Sequence, residues 1–146
     1  QHSVLVCDIF RKLFPACSPD DELVTLLHDG PEYVIGDMIS PFKAVLGDEY
    51  KLVEARLEEA IHLRYGLPAQ TPEKLKKSIK KADSICAYFE ATELAGFKAT
   101  EARRFFGTPR GFSAQELNIQ PLSADAAQTL FLEAFARIER KRKNRA

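Results

Sequence analysis

The sequence predicts an all-α single domain spanning residues 1–146, and three observations predict it. Apolar residues recur at three- and four-residue spacing along most of the chain. The stretches are separated by Pro, Gly or Ser/Thr caps, the usual helix punctuation. No stretch alternates apolar with polar residues for long enough to make a confident strand.

Leu5, Val6, Ile9 and Leu13 mark the first helix, which Pro15 ends. Ser18-Pro19-Asp20-Asp21 starts a second, with Ser as cap and Pro in the first turn. It carries Leu23, Val24 and Leu27 up to His28, where Gly30-Pro31 breaks it. A short segment follows to Gly36, and Pro41 starts another short helix. Asp48 to Tyr65 reads as a long amphipathic helix closed by Gly66 and Pro68. Thr71-Pro72-Glu73 opens the next, with Leu75, Ile79, Ala82, Cys86 and Phe89 on one face, running to about Gly96. Thr100 to Phe106 is a short helix, and residues 107–122 read as loop. Ser123 caps a last helix with Phe131, Ala134, Phe135 and Ile138 inward.

A chain of 146 residues is long enough to bury a real core. Lys+Arg and Asp+Glu are both 21, so no overall charge draws it toward nucleic acid or an anionic membrane. No apolar run reaches the length of a membrane span, and no signal peptide is visible. Cys7, Cys17 and Cys86 are odd in number and show no CxxC spacing, which points to buried reduced thiols and a cytoplasmic setting. The chain opens on Gln and directly into a helical pattern, so a segment is expected upstream of Gln1. The basic tail "RIERKRKNRA" suits a helix C-terminus and has no interleaved aromatic residue, so a nucleic-acid role is not expected.

Several polar residues stand where an apolar one belongs. His2 leads the stripe of Leu5, Val6 and Ile9; His28 sits one turn after Val24; Asp83 lies between Ile79 and Cys86. A buried carboxylate is costly unless paired or metal-bound. Together with Asp29, these residues can converge from three helices, and imidazole plus carboxylate suits a transition metal. Plainer readings stand beside this one. His28 can be a satisfied core histidine, Asp29 with Glu32 can be a helix cap and its partner, and Asp83 can pair with Lys80. His62, within "EARLEEAIHLRYG", reads as a partly exposed helix residue.

The ordered set resembles the HD-domain phosphohydrolase superfamily. "QHSVLVCDIF" resembles its first-histidine helix, "LLHDGPEYVIGD" its His-Asp helix end, and "KKADSICAYFEATELAG" its last-ligand helix. The pattern is most similar to the YfbR-like 5′-nucleotidase branch, through Glu32, Gly36-Asp37 and Pro41-Phe42-Lys43, over roughly residues 1–97. In that branch an Arg before the first histidine helps hold the substrate phosphate, and it has no counterpart in residues 1–146.

The resemblance implies a helical bundle of about six helices with a metal site between them. His2, His28, Asp29 and Asp83 would be the ligands of a divalent Mn, Co, Zn, Fe or Ni ion. Glu32 would orient or deprotonate the nucleophilic water, Asp37 would contact the sugar or assist the leaving oxygen, and Lys43 would contact phosphate. The implied activity is removal of the 5′-phosphate from (deoxy)nucleoside monophosphates by metal-activated water. The alternatives are a nucleotide-binding regulatory module without turnover, or hydrolysis of another phosphomonoester or a cyclic nucleotide. The partner expected is a small nucleotide, with no nucleic acid and no membrane, and a homodimer is left open.

Overall fold

The computed structural model describes residues 1–36, 38 and 40–145, with backbone alone for 40–44. Its described residues form helices and connections, without strands. In order they are α1 (His2–Leu13), α2 (Pro19–Leu26), α3 (Glu32–Ile35), α4 (Ser40–Arg64), α5 (Glu73–Glu93), α6 (Ala99–Phe106), α7 (Ala114–Leu117) and α8 (Ala124–Lys143).

Helix α1 is the centre of the bundle, packing on α2, α5 and α8, while α6 packs on α5. Its stripe of Val6, Cys7, Ile9 and Phe10 is buried against Leu23 and Leu26 of α2, Ala82 and Cys86 of α5, and Ile138 of α8. Ser18 caps α2 as its sequence signature predicts: its hydroxyl accepts from the Asp21 amide at 3.1 Å, and Asp21 accepts from the Ser18 amide at 2.9 Å. Ser123 caps α8 with its hydroxyl alone, which accepts from the Ala126 amide at 3.3 Å. The helix predicted from Asp48 extends back to Ser40 across a break at Gly47, whose φ of 70° is open to glycine at little cost. Among the described residues no helix is long and apolar enough to cross a membrane.

Three expectations need correction. Residues 107–122 are not all loop, because Ser113 and Glu116 form a reciprocal capping box around the single turn of α7. A four-residue helix has too little periodicity to read from spacing. His62 is not partly exposed but buried, at 1%. Its Nδ1–H donates to the Pro68 carbonyl at 3.0 Å, and the Leu67 amide returns to the His62 carbonyl at 2.9 Å. Together these bonds close the end of α4. Cys7 and Cys86 are buried free thiols as expected, whereas Cys17 is only half-buried.

Two residues of the basic tail hold the fold together. Lys141 meets the buried Glu22 at 2.7 Å, and Arg142 meets Asp20 at 2.6 Å. Both pairs tie α8 to α2. The first residue is anchored too: the Gln1 side chain donates to the Gln120 carbonyl at 2.6 Å and accepts from the Leu122 amide at 3.3 Å. The start of α1 is therefore held by the connection before α8.

Candidate functional site

The structure brings His2, His28, Asp29 and Asp83 together. His2 begins α1, His28 and Asp29 lie in the turn after α2, and Asp83 lies in α5. His2 Nε2 is 3.5 Å from Asp29 Oδ2 and 3.3 Å from Asp83 Oδ1, and His28 Nε2 is 3.2 Å from Asp29 Oδ1. The two imidazole centroids are 5.6 Å apart. His2, His28 and Asp29 each present a donor atom within 4.8 Å of the others.

Local structure explains this convergence. The His28–Asp29 turn approaches α4 so closely that a Cβ on Gly30 would sit 2.9 Å from Ile61 Cδ1 and from the Leu27 carbonyl oxygen. Only glycine fits there without displacement. On α5, Asp83, Cys86 and Glu90 are spaced by three and four residues, which places them on one face. The His2 ring lies along that face. Its Nε2 meets Asp83, while its Nδ1 meets Glu90 Oε2 at 2.7 Å and Cys86 Sγ at 3.6 Å.

The two imidazoles have opposite electrostatics. Burial alone pushes His2 down, but hydrogen bonds to Asp83, Cys86 and Glu90 outweigh it and raise its pKa to about 12. Burial pushes His28 below its ordinary value, and the neighbouring His2 adds to this against the pull of Asp29. His28 is thus neutral near pH 7. A carbonyl oxygen only accepts, so the 2.9 Å contact of Nδ1 with the Thr25 carbonyl places the His28 proton on Nδ1. Nε2 then carries a bare lone pair. It is buried, has no hydrogen-bond partner, and faces a carboxylate oxygen 3.2 Å away. Two lone pairs at that distance repel unless a cation lies between them.

Burial raises the Asp83 carboxyl, yet hydrogen bonds to His2 and Lys80 more than reverse this, holding it below the usual carboxylate range. Asp83 therefore does pair with Lys80, at 2.8 Å, but through Oδ2, while Oδ1 turns to His2. Asp29 is not a helix cap: Pro31 occupies the cap position of α3, and Asp29 only accepts through its carbonyl from the Glu32 amide.

His28, Asp29 and Glu32 line a cleft of about 490 Å³, opposite Lys51, Glu54 and Glu58 of α4. Lys76 and Lys80 of α5 also border it. Of the expected site residues, Asp37 lies outside the described residues, as does the side chain of Lys43. Sequence reasoning missed Glu90 and the Thr25 carbonyl, which fix the two imidazoles from behind. Glu90 stands seven residues after Asp83, two helical turns along the same face, and that spacing is a signal that could have found it. A backbone carbonyl leaves no such signal.

No family model matches the sequence. The chain is 48% identical over 109 residues to an uncharacterized protein of Rhodobacter capsulatus, an alignment covering 75% of this chain and 56% of the relative. It is 28% identical over 144 residues to the uncharacterized protein YfdR of Escherichia coli K12, covering 98% of this chain and 72% of the relative. The chain thus spans little more than half the length of the Rhodobacter protein.

Proposed function

We propose that this chain is an HD-type metal-dependent phosphohydrolase that removes the 5′-phosphate from (deoxy)nucleoside monophosphates. The observation that carries the reading is the His28 Nε2 lone pair, buried and partnerless, directed at Asp29 and beside His2 and Asp83. Two imidazoles and two carboxylates are a donor set for Mn, Co, Zn, Fe or Ni. Each imidazole is held through Nδ1, by Glu90 or by the Thr25 carbonyl, the orientation that outer hydrogen bonds give to metal-binding histidines. When bound, a divalent cation there supplies Lewis acidity to a phosphoryl oxygen and lowers the pKa of water.

The chain's own groups supply the rest. Glu32 borders the cleft one turn past His28 and serves to orient the attacking water or take its proton. Lys76 and Lys80 at the cleft edge offset phosphate charge. Asp37 and Lys43 keep the substrate roles proposed for them from the family pattern, contacts to the sugar and to the phosphate.

The test is phosphate release from a panel of ribo- and deoxyribonucleoside 5′-monophosphates, with each divalent metal in turn. Release that requires metal is the expected result. Tight metal binding with nucleotide bound but no phosphate released from any member assigns the chain to the regulatory-module class instead.

A further inference from the structure

We propose that Glu58 selects guanine as the base of the nucleotide in the cleft, an inference that rests on the phosphohydrolase reading of the same site. Glu58 lies on α4 and is half-buried. The hydroxyl of Thr71, itself buried at 6%, donates to its Oε1 at 2.9 Å. That bond fixes the end of a long side chain against the connection before α5. Among the described residues nothing else bonds to Glu58, so the carboxylate keeps lone pairs for a ligand. Both residues line the cleft of about 490 Å³ that holds His28 and Asp29, a volume suited to a small molecule. Lys51 and Lys76 border the same cleft, yet neither pairs with Glu58. A carboxylate held in place by a neutral hydroxyl is set to accept from a ligand.

Position along the cleft says which part of a nucleotide meets Glu58. Lys80 marks the cluster end, since it pairs with Asp83. Thr71 stands just before Glu73, the first residue of α5, and Glu73 is about 10 Å from Lys80 along the helix. With the phosphate at the cluster, the sugar lies between and the base arrives beside Thr71 and Glu58. Val24 and Ile79 supply apolar surface for its ring. The chemistry of the edge then decides the base. A carboxylate only accepts. Guanine alone offers it two adjacent donors, N1–H and the N2 amino group, one for each oxygen. Adenine and cytosine present an amino group beside a bare ring nitrogen, whose lone pair would oppose the second oxygen. Uracil and thymine present N3–H between two carbonyl oxygens, which repel a carboxylate. Oε1 can serve Thr71 and guanine together, because each carboxylate oxygen has two lone pairs.

The experiment is equilibrium dialysis of the full chain, with Mn²⁺ present, against guanosine, inosine, adenosine and cytidine. It compares the wild type with Glu58→Gln and Glu58→Ala, using circular dichroism as a check on helix content. The wild type should bind guanosine at least about ten-fold more tightly than adenosine, cytidine or inosine, which lacks only the N2 amino group. Glu58→Gln keeps an acceptor for Thr71 and gains an amide donor, so it should lose the guanosine preference and favour adenosine. Glu58→Ala should bind all four nucleosides alike. Equal affinity of the wild type for guanosine and inosine overturns the proposal. So does the absence of binding to any nucleoside, or a guanosine preference that survives in a helical Glu58 variant. Should one variant fail to fold, the other decides the matter. Nucleosides carry no phosphate, so no outcome depends on turnover. A guanosine preference without phosphate release from any nucleotide would sink the phosphohydrolase reading alone, and release without base preference would sink this inference alone.

Discussion

His2 and His28 sit side by side, yet their surroundings treat them in opposite ways. His2 opens a helix, is partly exposed, and is strung between Asp83 and Glu90 on the face of α5. His28 closes a helix, is more deeply buried, and gives its only proton to a backbone carbonyl. One imidazole is pulled toward the charged form and the other away from it. The difference teaches that burial and a histidine are not enough to mark a site. His62 is buried and bonded through Nδ1 like His28, but its bond closes the end of a helix and no described carboxylate contact is drawn to it. What separates His28 is the lone pair left facing other donor atoms.

The strongest way to break the comparison is His28→Ala. It removes the neutral donor and should abolish both metal content, measured by elemental analysis, and turnover. Glu32→Ala is the control beside it. Glu32 is not among the four proposed ligands, so metal content should stay at the wild-type level while phosphate release falls roughly 10²–10⁴-fold, as for loss of a positioned acid–base group. Undiminished turnover in Glu32→Ala would remove that residue from the mechanism and leave the four-ligand cluster standing.

Glu90 tests the His2 side alone. Glu90→Ala leaves Nδ1 without its 2.7 Å acceptor and the ring free to turn. Loss of such an outer contact should weaken metal affinity by about 10–100-fold. Glu90→Gln keeps an acceptor oxygen and should recover much of it. Equal metal dissociation constants for all three proteins would mean that Asp83 and the anchored Gln1 suffice to hold His2.

The cluster was legible because its members interrupt apolar stripes. His2 and Asp83 occupy inward helix positions where Leu or Ala would be expected, and His28–Asp29 ends an inward face abruptly. Glu90 was overlooked despite its two-turn spacing from Asp83, since a glutamate on a helix as charged as α5 reads as solvated surface. His62 was misread for a similar reason: charged neighbours on α4 hide the return of the chain through Leu67 and Pro68, which buries it. The all-helical architecture was legible from periodicity and caps. The docking of α8 was not, because the Lys141–Glu22 and Arg142–Asp20 pairs join residues that no local pattern relates.

The smallest effect expected is also the one that compares the two imidazoles most directly. In the metal-free protein His2 holds a proton, with its folded pKa raised from an ordinary 6.5. Its contribution to stability is then complete below pH 6.5 and is lost as pH rises through the raised value. Asp83 runs the other way. Its folded pKa lies beneath an ordinary 3.8, so its contribution is complete above pH 3.8 and is lost as pH falls through the lowered value. Both are whole between pH 3.8 and 6.5, and above that window the metal-free protein should lose stability steadily. Metal binding requires neutral imidazole, so loading should displace about one proton, from His2 and not from His28, and should tighten as pH rises. The gap in melting temperature between metal-loaded and chelated protein should therefore widen from about pH 6 to about pH 8. Calorimetric titration with metal in buffers of different ionisation enthalpy counts the proton. His2→Gln removes a ligand along with that proton, so proton release and the pH-dependent gap should vanish together. Zero protons released by a wild type that binds metal would show that His2 is already neutral in the metal-free state, and the contrast between the two imidazoles would collapse.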